Sequence, residues 1–223
     1  MEQLSIVSFL QHGHDYHLYV YEDIKGVPEG AILRDANEIV SWSQISKYRH
    51  AGFSDLFRYK LLLEKGGYWA DADVVCLRPF DFESDYVFGR NKRRDSSRSI
   101  ASAVIKAPAG CELLQFCYDA GFDKDPDGLA WPDLGPPLLT EGVKRFRLTG
   151  YALPHWAFSP IDWWNWEEIV SGRLSMRIKT RLKLTRGIYA VHLWNEIWRR
   201  EKLDKNGIYH PQCLYEKLKR MYL

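Results

Sequence analysis

Apolar residues recur along this chain at helical and at strand spacing by turns, and the alternation predicts an α/β protein. Leu4 to Leu10 reads as a short apolar helix that stops at Gly13, and Tyr16 to Tyr21 as a strand of aromatic and branched residues. Val27-Pro28-Glu29-Gly30 is a turn, Ala31 to Arg34 a second short strand, and Asp35 the N-cap of a brief helix through Val40. A polar connection, Ser41 to His50, leads to the longest helical pattern, Ser54 to Lys65. There Ser54 is the predicted N-cap, Asp55 stands in the first turn where the helix dipole favours an anion, and Gly66-Gly67 supplies the left-handed stop. Asp55, Arg58 and Leu62 fall at i, i+3 and i+7, so the acid and the guanidinium share a face while Leu56, Phe57 and Leu63 are free to be buried. Beyond the glycines, Tyr68, Ala70, Ala72 and Val74 alternate with Trp69, Asp71, Asp73 and Val75. An extended chain there would point both aspartates to one side.

The second half continues the alternation. Arg78-Pro79-Phe80 ends the aspartate strand; Tyr86 to Gly89 is a strand leading into an exposed basic loop, Arg90 to Arg98; Ile100 to Ala107 is a buried strand. After a turn at Pro108-Ala109-Gly110, Cys111 to Ala120 forms a helix packed through Leu113, Leu114, Phe116 and Cys117. Trp131 to Thr140 is a turn opening a helix, with proline near the first helical positions. Tyr151 to Pro154 reads as a strand, Trp163-Trp164-Asn165-Trp166 as an aromatic cluster of core and rim, and Tyr189 to Asn195 as a strand or its end with His192 and Trp194 on one face. Pro211 to Leu223 is a basic amphipathic helix, packed on the domain or touching a membrane surface.

Composition narrows the picture in a few places. At 223 residues and 46% apolar the chain suits one well-buried domain, and a formal charge of +2 gives no reason to expect a nucleic-acid partner. Cys76, Cys111, Cys117 and Cys213 form no C-x-x-C pair, which argues against structural zinc and a disulfide scaffold and fits a reducing compartment. Neither a membrane-spanning run nor a signal peptide is visible. His12, His14 and His17 flank a helix end and a strand, where surface or capping roles are expected ahead of metal binding.

The chemistry is concentrated at Asp71 and Asp73. Two carboxylates converging within an apolar strand are costly unless a cation lies between them, and hard oxygen ligands suit Mg or Mn. Taken alone, the pair reads first as one turn cap and one aspartate solvated at a strand end. The surrounding residues carry a resemblance. Phe53-Ser54-Asp55-Leu56-Phe57-Arg58-Tyr59, followed by Glu64-Lys65-Gly66-Gly67-Tyr68-Trp69-Ala70-Asp71-Ala72-Asp73, is similar to the signature of the DXD-containing sugar transferases of glycosyltransferase family 32. That group takes in initiating mannosyltransferases, lactosylceramide galactosyltransferases and many bacterial polysaccharide enzymes.

The resemblance implies a GT-A (Rossmann-like) nucleotide-diphospho-sugar transferase fold, single domain over 1–223, with a DXD core at 53–80 and a metal and diphosphate segment at 188–200. It implies retaining hexose transfer from a nucleotide-sugar donor, a UDP-sugar favoured, to a glycan or glycolipid acceptor, with Mn or Mg on Asp71 and Asp73. His192 would be the third ligand; Tyr68, Trp194 and Asn195 would contact the donor; Asp55 would hold sugar hydroxyls; Arg58 would support phosphates or sugar. Gly135-Pro136-Pro137-Leu138-Leu139-Thr140 is similar to the family's G-P-x-L-L-T segment beside the sugar pocket. Asp133, just before it, is read as a sugar or acceptor contact or as a helix-start cap. No nucleophile is evident, which leaves front-face attack or an unidentified carboxylate. A bacterial polysaccharide or lipopolysaccharide enzyme in the cytoplasm, at the inner face of the membrane, is the expected setting, with the basic loop 90–98 near an anionic acceptor. The family's first strand is absent: the resemblance begins in mid-helix at Met1-Glu2-Gln3-Leu4, so an upstream extension of about 10 to 25 residues is expected. Two other classes stand beside this one. Asp71-Ala72-Asp73-Val74 fits the D-x-D-x-[TV] pattern of haloacid-dehalogenase-type phosphatases, and a non-catalytic descendant of a transferase would keep the same residues.

Overall fold

A computed structural model of the chain describes residues 1–48, 50–92, 98–128, 133–185 and 187–223. The elements in order are α1 (Glu2–Gln11), β1 (His17–Val20), β2 (Ile32–Asp35), α2 (Trp42–Ile45), α3 (His50–Lys65), β3 (Gly67–Ala70), β4 (Val74–Cys76), β5 (Val87–Lys92), β6 (Arg98–Ala107), α4 (Glu112–Phe122), α5 (Pro136–Arg145), β7 (Ala152–Leu153), α6 (Glu167–Val170), α7 (Leu174–Leu184), β8 (Ala190–His192), α8 (Asn195–Arg200) and α9 (Leu214–Tyr222). The result is the mixed α/β architecture that the alternating pattern predicts. Arg49, residues 93–97 of the basic loop, and Trp131 and Pro132 of the turn before α5 lie outside the described residues.

Among the described residues the strands group into three sheets: parallel β1–β2, mixed β3–β6–β5–β7, and antiparallel β4–β8. The aspartate motif lies where the second and third meet. α3 packs on α4 and on the mixed sheet, burying Leu56, Tyr59 and Leu62 against Ile105, Leu113, Leu114 and Leu139. Each such aliphatic or aromatic side chain contributes about 1.5–3 kcal/mol on leaving water. A second cluster, around Trp198 and Tyr215, joins α1, α8 and α9 to β4 and β8.

Several boundaries differ from the expectation, each for a physical reason. α3 begins at His50, so Ser54 is an interior residue and not the N-cap, and Asp55 is beyond the first turn where a dipole could hold it. The continuous apolar contact of Phe53, Leu56 and Phe57 with the core extends the helix upstream of its best capping residue. The stop is as expected: Gly66 takes φ 65° and its N–H bonds the Leu62 carbonyl at 2.8 Å. Asp35 does cap, accepting from the Asn37 N–H at 2.8 Å, but the element it caps is a single 3-10 turn over Ala36–Glu38. The polar connection contains α2, and the strand expected over 151–154 is only two residues long, preceded by a 3-10 turn. α9 keeps its apolar face inward, with Leu214, Tyr215, Leu218 and Tyr222 buried.

α1 takes part in the sheet through its side chains. Ser5 Oγ donates to the Val74 carbonyl at 2.6 Å, and Ser8 Oγ accepts from the Cys76 N–H at 2.8 Å. Two fully buried hydroxyls thus satisfy the β4 edge that faces away from β8. His14 likewise has a structural task, its Nε2 accepting from the Phe80 N–H at 3.0 Å.

Candidate active site

The strand expected through both aspartates is interrupted at the motif itself. β3 ends at Ala70, Asp71-Ala72-Asp73 forms a turn closed by Val74 N–H to the Asp71 carbonyl (2.9 Å), and β4 begins at Val74 in a different sheet. The Asp71 N–H still bonds Ala103 of the mixed sheet at 2.9 Å, while the Asp73 carbonyl accepts from Leu193 beside β8 at 2.9 Å. The two carboxylates therefore converge because a turn couples two sheets, and not because they alternate along one strand.

Asp71, Asp73 and His192 each offer a ligand atom within 4.8 Å of the others. Asp73 is buried, and its Oδ2 takes the backbone N–H of Asn195 at 2.7 Å and faces His192 Nε2 at 3.2 Å. Burial alone would raise the Asp73 pKa; the His192 charge and the hydrogen bonds from His192 and Asn195 outweigh it and hold the carboxyl below its ordinary value. His192 is the mirror case: burial opposes its charge, and Asp73 overrides that and raises its pKa above the ordinary histidine value. Trp194, in the left-handed conformation at φ 60°, lays its ring 4.0 Å from the imidazole and donates Nε1–H to the Ile161 carbonyl at 2.8 Å.

Asp71 is oriented from behind. Its Oδ1 accepts from Arg58 Nη2 at 2.8 Å and from the Trp69 indole N–H at 2.6 Å. The Arg58 guanidinium lies 4.8 Å from the Trp69 ring centre, and its other terminal nitrogen contacts Asp55 Oδ1. Arg58 is thus engaged by two acids. Asp55 sits in a close fit: a Cβ on Gly135 would come 2.9 Å from its Oδ2. Burial pushes the Asp55 pKa up to about 6, against the pull of Arg58 and with the help of Asp71. Tyr59 donates to the Leu134 carbonyl at 2.8 Å and fixes this segment to α3.

These residues line a cavity of about 1670 Å³ that also touches Tyr68, Trp163 and Asn195. Asp55, Arg58, Tyr68, Asp71, Asp73, His192, Trp194 and Asn195 all line it, Tyr68 with its ring on Phe80 and away from the acids, whereas Asp133 is half-buried outside it, the lining there being formed by Pro136 and Pro137. Trp69 had no role assigned from sequence, although its place on the aspartate side of the alternating pattern was the signal that could have found it. Asn91, Lys92 and Ser99 at the β5–β6 end also line the cavity; the first two belong to the basic stretch 90–98 expected near the acceptor, of which 90–92 extend β5.

The donor set fits a hard divalent ion: two carboxylates and an imidazole, with Asp71 presented by a guanidinium and an indole N–H that occupy only one of its oxygens. A phosphatase of the D-x-D-x-[TV] type would use Asp71 as nucleophile and a separate paired-acid loop. Among the described residues, the only His, Cys, Asp and Glu group that could hold a metal draws its third member, a histidine, from β8.

Comparison with known proteins bears on the same residues. A family profile described as alpha 1,4-glycosyltransferase conserved region matches residues 111–222, and one described as capsular polysaccharide synthesis protein matches residues 36–122. The chain is 27% identical over 181 residues to a lactosylceramide 4-alpha-galactosyltransferase of Mus musculus, covering 74% of this chain and 48% of that protein. It is 28% identical over 161 residues to the Rattus norvegicus protein of the same name, covering 64% and 40%. The chain spans less than half the length of these curated relatives. Among solved structures, PaToxG glycosyltransferase aligns with TM-score 0.49 and 12% identity over 99% of this chain and 80% of that one.

Proposed function

We propose that this chain, which belongs to the alpha 1,4-glycosyltransferase family, is a metal-dependent hexosyltransferase of GT-A type. It moves a sugar, with retention of anomeric configuration, from a nucleoside diphosphate donor to a hydroxyl of a glycan or glycolipid acceptor. A UDP-sugar is the favoured donor and Mn or Mg the favoured ion; the match to capsular polysaccharide synthesis proteins and the likeness to enzymes named for a glycolipid favour such acceptors. The observation that carries the reading is the meeting of Asp71, Asp73 and His192 at the wall of a broad cavity.

Asp71, Asp73 and His192 would hold the ion, which when bound neutralises charge on the departing diphosphate. The remaining work falls to the chain's own groups. Arg58 and Trp69 fix the rotation of Asp71, so that its orientation need not be found anew at each turnover. Asp55, wedged against Gly135, accepts hydrogen bonds from the donor sugar and steadies the ring as it flattens. Asn195 holds Asp73 through its backbone N–H, and Trp194 covers the imidazole and borders the diphosphate. Tyr68 contributes to the cavity lining.

The test is a panel of nucleotide hexoses incubated with Mn, reading release of nucleoside diphosphate, followed by NMR assignment of the product anomer. Mn-dependent release from one donor and a retained anomer support the reading. No Mn-dependent binding or release from any donor would instead identify a non-catalytic descendant of a transferase.

A further inference from the structure

α7 presents an apolar stripe to solvent. Leu174, Ile178 and Leu182, at i, i+4 and i+8, are 64%, 51% and 64% exposed, so one full face of the helix is aliphatic and uncovered. The opposite face is clamped down. Glu168 of α6, only 3% exposed, takes Lys179 at 2.7 Å and Lys183 at 2.8 Å, and Thr180 is buried beside it. That double clamp fixes the rotation of α7, so the outward direction of the stripe is built into the fold. The loop before α9 lies close by: a Cβ on Gly172 would meet His210 at 2.3 Å and Arg177 reaches Gln212, while Ile208, two residues before His210, is 93% exposed.

Charge identifies the occupant. The stretch 173–183 carries Arg173, Arg177, Lys179, Arg181 and Lys183 and no acid. Arg173 and Arg181 are exposed and have no acidic partner among the described residues, and they lie beside the aliphatic stripe. A protein partner is usually held by aromatic anchors seated in pockets; here the exposed side chains are aliphatic, with exposed cations at neighbouring helix positions. We infer that α7, with Ile208, is a docking surface for an anionic lipid bilayer: Leu174, Ile178 and Leu182 enter the acyl boundary while Arg173 and Arg181 meet lipid phosphates. The stretch 211–223, for which packing on the domain or contact with a membrane surface was open, packs: α9 buries its apolar face. The inference does not rest on the transferase reading, because vesicle binding is measured without donor or metal.

The experiment is co-sedimentation of the full chain with vesicles of phosphatidylcholine alone and of phosphatidylcholine mixed with phosphatidylglycerol. Wild type should partition onto the anionic vesicles and be released by salt. Leu174→Ser combined with Ile178→Ser and Leu182→Ser should weaken partition by about tenfold or more with an unchanged melting temperature, since all three side chains are already exposed. Arg173→Ala with Arg181→Ala should lose the preference for anionic lipid, and Leu33→Ser, at an exposed leucine on β2, should leave binding unchanged. Equal partition of wild type and the triple serine variant overturns the inference. So does failure of wild type to bind anionic vesicles, including the case in which the triple variant turns a dimer into a monomer and so marks the face as a protein interface.

Discussion

Replacing Asp73 by asparagine isolates the charge of the aspartate–histidine pair. The side chain keeps its shape, and its amide oxygen can still accept the Asn195 N–H now found 2.7 Å from Oδ2. What disappears is the negative charge facing His192 Nε2 at 3.2 Å, in a place where both partners are buried. A hydrogen bond to a charged group contributes about 1.5–3 kcal/mol. In a chain of 223 residues each kcal/mol moves the melting temperature by about 2–4 °C, so the metal-free variant should melt roughly 3–12 °C lower. The loss has a pH signature. The raised His192 pKa contributes stability that is full below 6.5 and is lost as pH rises through the folded value; the lowered Asp73 pKa contributes stability that is full above 3.8 and is lost as pH falls through the folded value. The gap between wild type and Asp73→Asn should therefore be widest near about pH 5 and narrow on both sides. Manganese adds a second reading. With free ion at a hundred times its Kd, wild type should gain about 2.7 kcal/mol, and the variant should gain almost none. Calorimetric melting in EDTA, and in Mn with uridine diphosphate, measures both. A variant that keeps the full Mn-dependent rise would refute the assignment of Asp73 as a ligand.

Other expectations follow from the same geometry. Trp69→Phe removes the N–H that reaches Asp71 at 2.6 Å and should weaken Mn binding by about 10–100-fold with little change in melting temperature, as read by titration calorimetry. Asp55→Asn should cut kcat by about 10²–10³ while leaving nucleoside diphosphate affinity nearly intact, which steady-state kinetics and a binding titration separate. Because the folded Asp55 holds its proton to about pH 6 while the unfolded chain releases it near 3.8, its ionisation makes metal-free wild type lose stability between those values. Asp55→Asn should flatten that limb in urea melts. Gly66→Ala, with φ 65° and a new Cβ 2.7 Å from the Ala109 nitrogen, should cost about 2–4 kcal/mol, against about 1 kcal/mol for Gly67→Ala, whose added Cβ meets nothing within 4 Å; denaturant midpoints compare the two.

What the sequence made legible was local. The apolar rhythm of α3, its glycine stop and the residue types at Asp71 and Asp73 were readable because each depends on neighbours a few positions away. His192 was found through resemblance, since nothing near it in sequence says that it will face Asp73. The turn through the motif escaped the alternating pattern because periodicity cannot register that β3 and β4 pair with different partners, β6 and β8, far along the chain. Ser54 misled for a related reason: a good capping residue lost to tertiary burial of Phe53, Leu56 and Phe57. The exposed stripe of α7 has the spacing of any amphipathic helix, and only the Glu168 clamp tells which face turns outward.

The coupling of two sheets at the motif has a consequence for how the protein is born. Asp73 and Asn195 are bonded across 122 positions, and among the described residues β8 is the strand that pairs with β4. During synthesis Asp71 can be met early by Arg58 and Trp69, but Asp73 lacks the Asn195 N–H and His192 until the last fifth of the polypeptide has emerged and docked, a long loop closure that slows folding far more than it weakens the product. The group of Asp71, Asp73 and His192 is thus completed only at the end of folding: a chain that has not seated its C-terminal segment lacks one of the three side chains that could hold an ion.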